Sequence, residues 1–269
     1  MAVFVPIADP LDPKIAGYCD IRDRDLIGRS GLFMAEGRVV LTQIAKQHPQ
    51  LLCSLLVADQ HQHRLDDILS RLDADLPVYV VSQPILDTIS GFPLHRGLLG
   101  LGRIPEPEQA AEALKRLPEC ARVLVLVGIA NHDNMGGLFR NAAAFGVDLV
   151  VLDQTCCDPF YRKALRVSVG ATATLPFVRL DSGADLVEVL TAAGLEPIAL
   201  SPKATVELKD CACPRRWALV LGAEGPGLPQ SVLDRCLCVG IQMVGNFDSL
   251  NVATTSGIAL HHLTAGQTL

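Results

Sequence analysis

Apolar positions along the chain change rhythm near residue 120. Before that point, amphipathic spacing predicts a helix around Val39 to Lys46 and another around Leu65 to Leu72, while the apolar runs Leu51 to Ala58 and Val78 to Val81 predict strands. These elements make a small α+β or α/β unit. The stretch from Gly100 to Cys120, with three prolines and four acidic residues between two apolar regions, reads as a partly helical linker. After it, short apolar runs at Val123 to Val127, which is rich in β-branched residues, and at Val147 to Leu152, Pro197 to Leu200 and Trp217 to Leu221 predict buried strands. Helical patterns at Gly137 to Phe145, Arg162 to Val169 and Ala184 to Ala193 lie between them. Strands alternating with helices predict an α/β domain with a parallel sheet, in which ligands sit beyond the carboxyl ends of the strands. The predicted organisation is an N-terminal domain over 1–102, a linker over 103–119 and a C-terminal domain over 120–269.

Composition narrows the class. With 49% apolar and 19% charged residues in 269, the chain has the make-up of a globular protein and excludes extensive disorder. No stretch approaches the about 20 apolar residues of a membrane span. The start, MAVFVPIADP, lacks a basic region, and its apolar run ends at Pro6 and Asp9, so a cytoplasmic protein is expected. Nine cysteines, an odd number with C-x-C pairs at Cys211/Cys213 and Cys236/Cys238, match neither a zinc ladder nor a disulfide framework; reduced, mostly buried thiols and no metal are expected. Net charge is −6 and is shared evenly between the two parts, so any basic surface for nucleic acid must be local.

Chemistry concentrates in three turns that follow strands. The first, VLVLVGIANHDNMGGLFRNAAAFG, runs from a strand through a polar turn into a helix, where free N–H groups could meet an anion. Its plain reading is that Asn134 caps the helix and Arg140 is a solvated side chain. A strand, a glycine turn, a helix and Asp153 after the next strand also resemble a dinucleotide unit, but G-x-G-x-x-G is missing: Gly128 is followed by IANHDNM. The second turn, ALVLGAEGPGLP, places Gly222, Gly225 and Gly227 around Glu224; no lysine follows, so a phosphate cradle is disfavoured. In the third, IQMVGNFDSLNVATTSGIALHHL, a strand from Ile241 to Val244 leads into a loop, after which Ser249 or Asn251 caps a nearly uncharged helix. That helix is as suited to burial against another subunit as against its own core.

In this order and spacing the three segments resemble the signature motifs of the SpoU/TrmH-type RNA ribose 2′-O-methyltransferases of the SPOUT superfamily. Asn134, Gly136, Arg140, Ala142, Phe145 and Gly146 match the first motif, LGAEGPGL with Glu224 the second, and SLNVA with Ser249 and Asn251 the third. The stretch with Ser168, Gly170, Leu175 and Pro176 is similar as well. Upstream, FMAEGRVV and HRGLLGLG are similar to the RNA-binding N-terminal domain of many members. The chain departs from the pattern at Ala223, where Asn is common, and at Thr254 to Ser256.

The resemblance implies a parallel-sheet SPOUT methyltransferase domain with a C-terminal trefoil knot, preceded by a small α/β RNA-binding domain, and a homodimer with the site near its interface. It implies S-adenosylmethionine as cofactor, tRNA or rRNA as substrate, no metal and no membrane. Arg140 becomes the catalytic residue, with Asn134, Glu224, Ser249 and Asn251 arranged around it. Leu200, Gly222, Glu224, Gly227, Ile241, Met243 and Leu250 become the cofactor walls, and Arg29, Arg38, Arg140 and Arg166 the RNA-binding cations. Two alternatives stay open: a catalytically inactive RNA-binding member, which the presence of Arg140 and Glu224 disfavours, and a nicotinamide-dependent Rossmann enzyme.

Overall fold

The computed structural model describes residues 3–19, 23–90, 97–245 and 249–265. It divides into two compact units, one made of residues 1–106 with 159–174 and the other of 107–158 with 175–269.

In the first unit the strands are β1 (Val3–Pro6), β2 (Leu32–Glu36), β3 (Leu52–Ala58), β4 (Pro77–Val81) and β5 (Leu98–Arg103), and they form one sheet in the order β1-β4-β3-β5-β2. β3, the most continuously apolar of them, takes the centre because only there are both faces covered. It pairs in parallel with β4 and antiparallel with β5, and β5 pairs antiparallel with β2. The similar-looking segments FMAEGRVV and GLLGLG turn out to be two halves of one packing device. Phe33 stands opposite Gly102 in the β2–β5 register, and a Cβ on that glycine would lie 2.3 Å from the Phe33 ring, so only glycine lets the ring lie flat on the strand. Helices α1 (Asp23–Ser30), α2 (Arg38–Gln47), α3 (Asp66–Leu69) and α4 (Gln83–Ser90) complete this part of the chain. The helix expected from Leu65 to Leu72 is thus a single turn, introduced by a 3-10 segment over Asp59–Arg64.

The second unit contains α5 (Ala110–Lys115), β6 (Ala121–Val127), α6 (His132–Ala144) and β7 (Leu149–Leu152). The chain then gives α7 (Arg162–Val167) and α8 (Ala171–Thr174) to the first unit before returning through β8 (Phe177–Arg179), α9 (Leu186–Ala192), β9 (Glu196–Leu200), β10 (Val206–Glu207), β11 (Arg216–Gly222), α10 (Gln230–Leu233), β12 (Leu237–Gly240) and α11 (Val252–Thr264). Its sheet is wholly parallel, in the order β10-β12-β9-β11-β6-β7-β8. β6 and β11 lie at the middle, buried on both faces, and Val123, Val125, Val151, Ala218 and Val220 carry the core. From β6 the sheet grows through β7 to β8 on one side, then resumes with β9, β11 and β12 on the other. The carboxyl ends of β6, β9, β11 and β12 therefore gather beside the point where strand order reverses, where parallel α/β sheets hold ligands.

Three expectations need correction. The domain predicted over 120–269 is interrupted, because residues 159–174 pack with the first unit: the Phe160 ring lies 5.0 Å from that of Phe33, Arg162 pairs with Asp23 at 3.4 Å, and α7 packs on β2. Nothing in the local pattern of this segment announces those distant partners. The predicted linker over 103–119 is likewise divided, its helix α5 packing on β7 and β8. Ile241 to Val244 is not a strand. β12 ends at Gly240: its pairing with β9 stops at Val239 and its pairing with β10 at Gly240, and the apolar residues after it leave the sheet.

All nine cysteines are free, as expected of reduced thiols, but only Cys156 and Cys211 are buried; Cys120 is exposed and the other six lie half-buried at strand ends and in loops. No helix among the described residues is long and apolar enough to cross a membrane.

Because Phe160 is 3% exposed and stacks on Phe33, Phe160→Ala should destabilise the first unit by about 3 to 5 kcal/mol. Urea unfolding checks this; a loss below about 1 kcal/mol would mean that residues 159–174 do not belong to that core.

Candidate active site

The site begins where β6 ends. Gly128 turns the chain with φ +72°, and the Asn131 side chain caps α6, accepting N–H bonds from Asp133 at 2.7 Å and Asn134 at 3.3 Å. Asn131, and not Asn134, is the cap. Asn134 instead lies inside the first turn, 7% exposed, with its side chain free to serve another element. The signal for Asn131 was in the sequence, since it precedes the helical pattern at cap spacing.

A second capped helix meets the first. Asn251 is the N-cap of α11: its Oδ1 accepts from the N–H groups of Ala253 at 2.9 Å and Thr254 at 3.2 Å. Its Nδ2 donates to Asn134 Oδ1 at 2.8 Å and to Glu224 Oε1 at 2.9 Å. One amide thus uses its acceptor to start a helix and both donors to join the other two turns. Ser249 is exposed and makes no such link among the described residues.

The loop that presents Glu224 is shaped by its glycines. The Gly227 N–H donates to the Ala223 carbonyl at 3.0 Å, folding residues 223–227 back on themselves. A Cβ on Gly222 would lie 2.5 Å from the Gly227 carbonyl carbon, so this turn closes only around glycine. Between the loop and α11 lies a cleft of about 510 Å³. All seven residues predicted as cofactor walls line it: Leu200, Gly222, Glu224, Gly227, Ile241, Met243 and Leu250. Ser249, Asn251 and Thr255 line it too, as do Ser201 and Pro202, which sequence reasoning missed although they directly follow a predicted strand. Glu224 is the only charged residue among these walls within the described residues.

Arg140 does not line the cleft. It is exposed on α6, six residues and about 9 Å of helix beyond Asn134, and forms no ion pair or hydrogen bond among the described residues. Of the other predicted cations, Arg38 pairs with Asp67 at 2.5 Å and Arg166 with Glu36 at 3.9 Å, all within the first unit. Arg29 belongs to α1, and its side chain lies outside the described residues.

Thiol chemistry is absent from this arrangement. Cys156 accepts from the Ile129 N–H and donates to the Leu126 carbonyl, both at 3.3 Å, and burial pushes its thiol up to about 12, so at neutral pH it stays protonated and braces the first turn. No cluster of metal-ligating side chains occurs among the described residues.

A family profile described as the SpoU rRNA Methylase family matches residues 121–261, the segment holding all three turns. The chain belongs to the SpoU rRNA methylase family. It is 34% identical to an uncharacterised tRNA/rRNA methyltransferase of Mycobacterium tuberculosis, over 96% of this chain and 91% of that one. It is 29% identical to a 23S rRNA (guanosine-2′-O-)-methyltransferase of Nitrosomonas europaea, over 82% and 86%. The fold is that of the AdoMet-bound rRNA methyltransferase from Sinorhizobium meliloti, with a TM-score of 0.79, 20% identity and 99% of both chains covered. Membership of a methyltransferase family corrects the nicotinamide-dependent alternative.

The SpoU site makes a distinctive demand on residue 251. Asn251→Asp keeps the helix cap but replaces both donors with a carboxylate facing Glu224, so it should cost about 1 kcal/mol or more of stability. Adding Glu224→Gln restores a donor across the same gap, and the double variant should regain at least half of the loss in urea unfolding. Additive losses would show that the 2.9 Å bond between these side chains contributes nothing.

Proposed function

We propose that this protein transfers the methyl group of S-adenosylmethionine to a ribose 2′-hydroxyl in structured RNA, either tRNA or rRNA. The observation that carries the reading is the junction of Asn134, Glu224 and Asn251 at the edge of a cleft with apolar walls and one carboxylate. Such a cleft suits a ligand with a flat apolar base and a cationic sulfonium. Its volume of about 510 Å³ is in the usual range for small-molecule sites, about 300 to 1,000 Å³. Leu200, Ile241, Met243 and Leu250 would hold the adenosine, and Glu224 would face the positive end. S-adenosylmethionine, when bound, supplies an activated methyl group and its own leaving group.

The protein's remaining task is to align the ribose and to stabilise charge on its oxygen as the proton departs. A guanidinium keeps its proton in water, so Arg140 does not act as a base. Exposed, and unpaired among the described residues, it is available to grip the phosphate beside the target ribose and to stabilise developing alkoxide charge, while the proton passes to phosphate or water. Ser249, at the cleft rim, orders the approach of substrate or cofactor.

The wider reading rests on the same resemblance. The loop at 222–228 and residues 241, 243 and 249–251 flank one cleft, which supports a trefoil knot in which both segments wrap the cofactor. Val244, Leu250 and Ile258 are 92%, 40% and 42% exposed, an apolar display on and before α11 that supports a homodimer built there. Light scattering of the purified chain checks that state. Arg29, Arg38 and Arg166 would meet RNA from the N-terminal domain, Arg38 and Arg166 exchanging carboxylate partners for phosphate. The protein would work in the cytoplasm.

Arg140→Ala should slow single-turnover methyl transfer about 100-fold to 1,000-fold while leaving S-adenosylmethionine affinity within about threefold. Arg140→Lys should rescue poorly, because a point charge does not reproduce the planar fork. An alanine variant within threefold of wild type would make Arg140 an ordinary surface side chain.

A further inference from the structure

One contact in the second unit links the helix of Arg140 to the helix of Asn251 at a residue to which none of the above gives a role. Asn141 Nδ2 donates to the Ala253 carbonyl at 2.6 Å and to Ser256 Oγ at 2.8 Å, and Ser256 Oγ itself donates to the Ala253 carbonyl at 2.7 Å. Ser256 is fully buried. The contact needs close helices, and two glycines provide them. A Cβ on Gly137 would lie 2.7 Å from that of Ala253, and one on Gly257 would lie 3.4 Å from Asn141 Nδ2.

We infer that Asn141 is a positioning residue for methyl transfer, setting the rotation of α6 against α11 and hence the direction of Arg140. Asn134, Gly137 and Asn141 recur at i, i+3 and i+7, one stripe of α6 turned toward α11. Arg140 lies one residue before Asn141 and so about 100° around the helix from that stripe. The Asn134–Asn251 bond fixes the start of α6, and the Asn141 brace fixes it two turns later. Two fixed points on one face prevent the helix from rolling. Without the second, a small roll moves the tip of the long arginine side chain by about 1 Å, a displacement that costs on the order of a hundredfold in an aligned reaction. Asparagine suits the role because its amide supplies two N–H donors from a short stem, whereas aspartate of the same shape supplies none.

The inference rests on the methyltransferase reading, and its test separates the two. Wild-type, Asn141→Ala, Asn141→Asp and Ser256→Ala proteins are compared for thermal stability, for S-adenosylmethionine binding by calorimetry and for kcat and KM in RNA methylation. Ser256→Ala removes a buried hydroxyl but leaves the bond from Asn141 to the Ala253 carbonyl. It should lower Tm comparably while keeping kcat within threefold. Asn141→Ala and Asn141→Asp should lose about tenfold to a hundredfold in kcat, with cofactor affinity and both KM values within threefold. If Asn141→Asp fails to fold, Asn141→Ala alone decides. A folded Asn141→Ala enzyme with kcat within threefold of wild type would overturn the inference. So would parallel losses in Asn141→Ala and Ser256→Ala that follow Tm. An inactive wild-type protein would instead overturn the methyltransferase reading, and the inference with it.

Discussion

The side-chain amide of Asn251 holds three segments that are far apart in the chain, and the geometry of the site follows from how its few hydrogen-bonding atoms are used. The oxygen is occupied by the first N–H groups of α11, which must be satisfied if the helix is to begin there. The nitrogen is then left with two donors, and these go to Asn134 on α6 and Glu224 on the glycine loop. An aspartate would cap as well but could not donate, and a serine would cap without reaching both partners. The residue type is thus set by the helix and the two loops together.

That junction is possible only because the parallel sheet delivers its strand ends to one place. β6 leads into α6, β11 into the Glu224 loop and β12 into the segment before α11. Since β6 and β11 are neighbours and β12 lies beyond β9 on the same side, all three connections emerge at the same edge of the sheet. The short glycine loop and the close helix contact at Gly137 are local consequences: each removes a side chain where two backbones must approach. The same economy appears in the first unit, where Gly102 makes room for Phe33, although there the result is packing and not chemistry.

Much of this was legible in the sequence, and what was not has identifiable causes. β6, β9 and β11 contain short apolar runs, and the strand–helix rhythm around them identified a parallel sheet. Gly222, Gly225, Gly227 and Asn251 stood out because glycine and asparagine are poor choices inside regular elements and good ones in turns, and Glu224 because it is the one acidic residue among those glycines. Ile241 to Val244 looked like a strand because an apolar run carries no mark of whether a partner is available; β9 pairing had ended at Val239 and β10 pairing at Gly240. The cap of α6 was assigned three residues late because Asn131 and Asn134 are equally able to cap, and the backbone decides between them. The grouping of residues 159–174 with the first unit depends on Phe33 and Asp23, more than a hundred residues away, which no local pattern encodes.

The central claim is that the cleft beside Asn251 presents an activated methyl group to a ribose oxygen. It is tested most directly by incubating the purified protein with methyl-labelled S-adenosylmethionine and RNA from cells that lack it, then digesting the RNA to nucleosides. The account predicts that the label is recovered in a 2′-O-methylated nucleoside and that Arg140→Ala nearly abolishes it. Label recovered on a base, or no incorporation by protein that demonstrably binds S-adenosylmethionine, would contradict it.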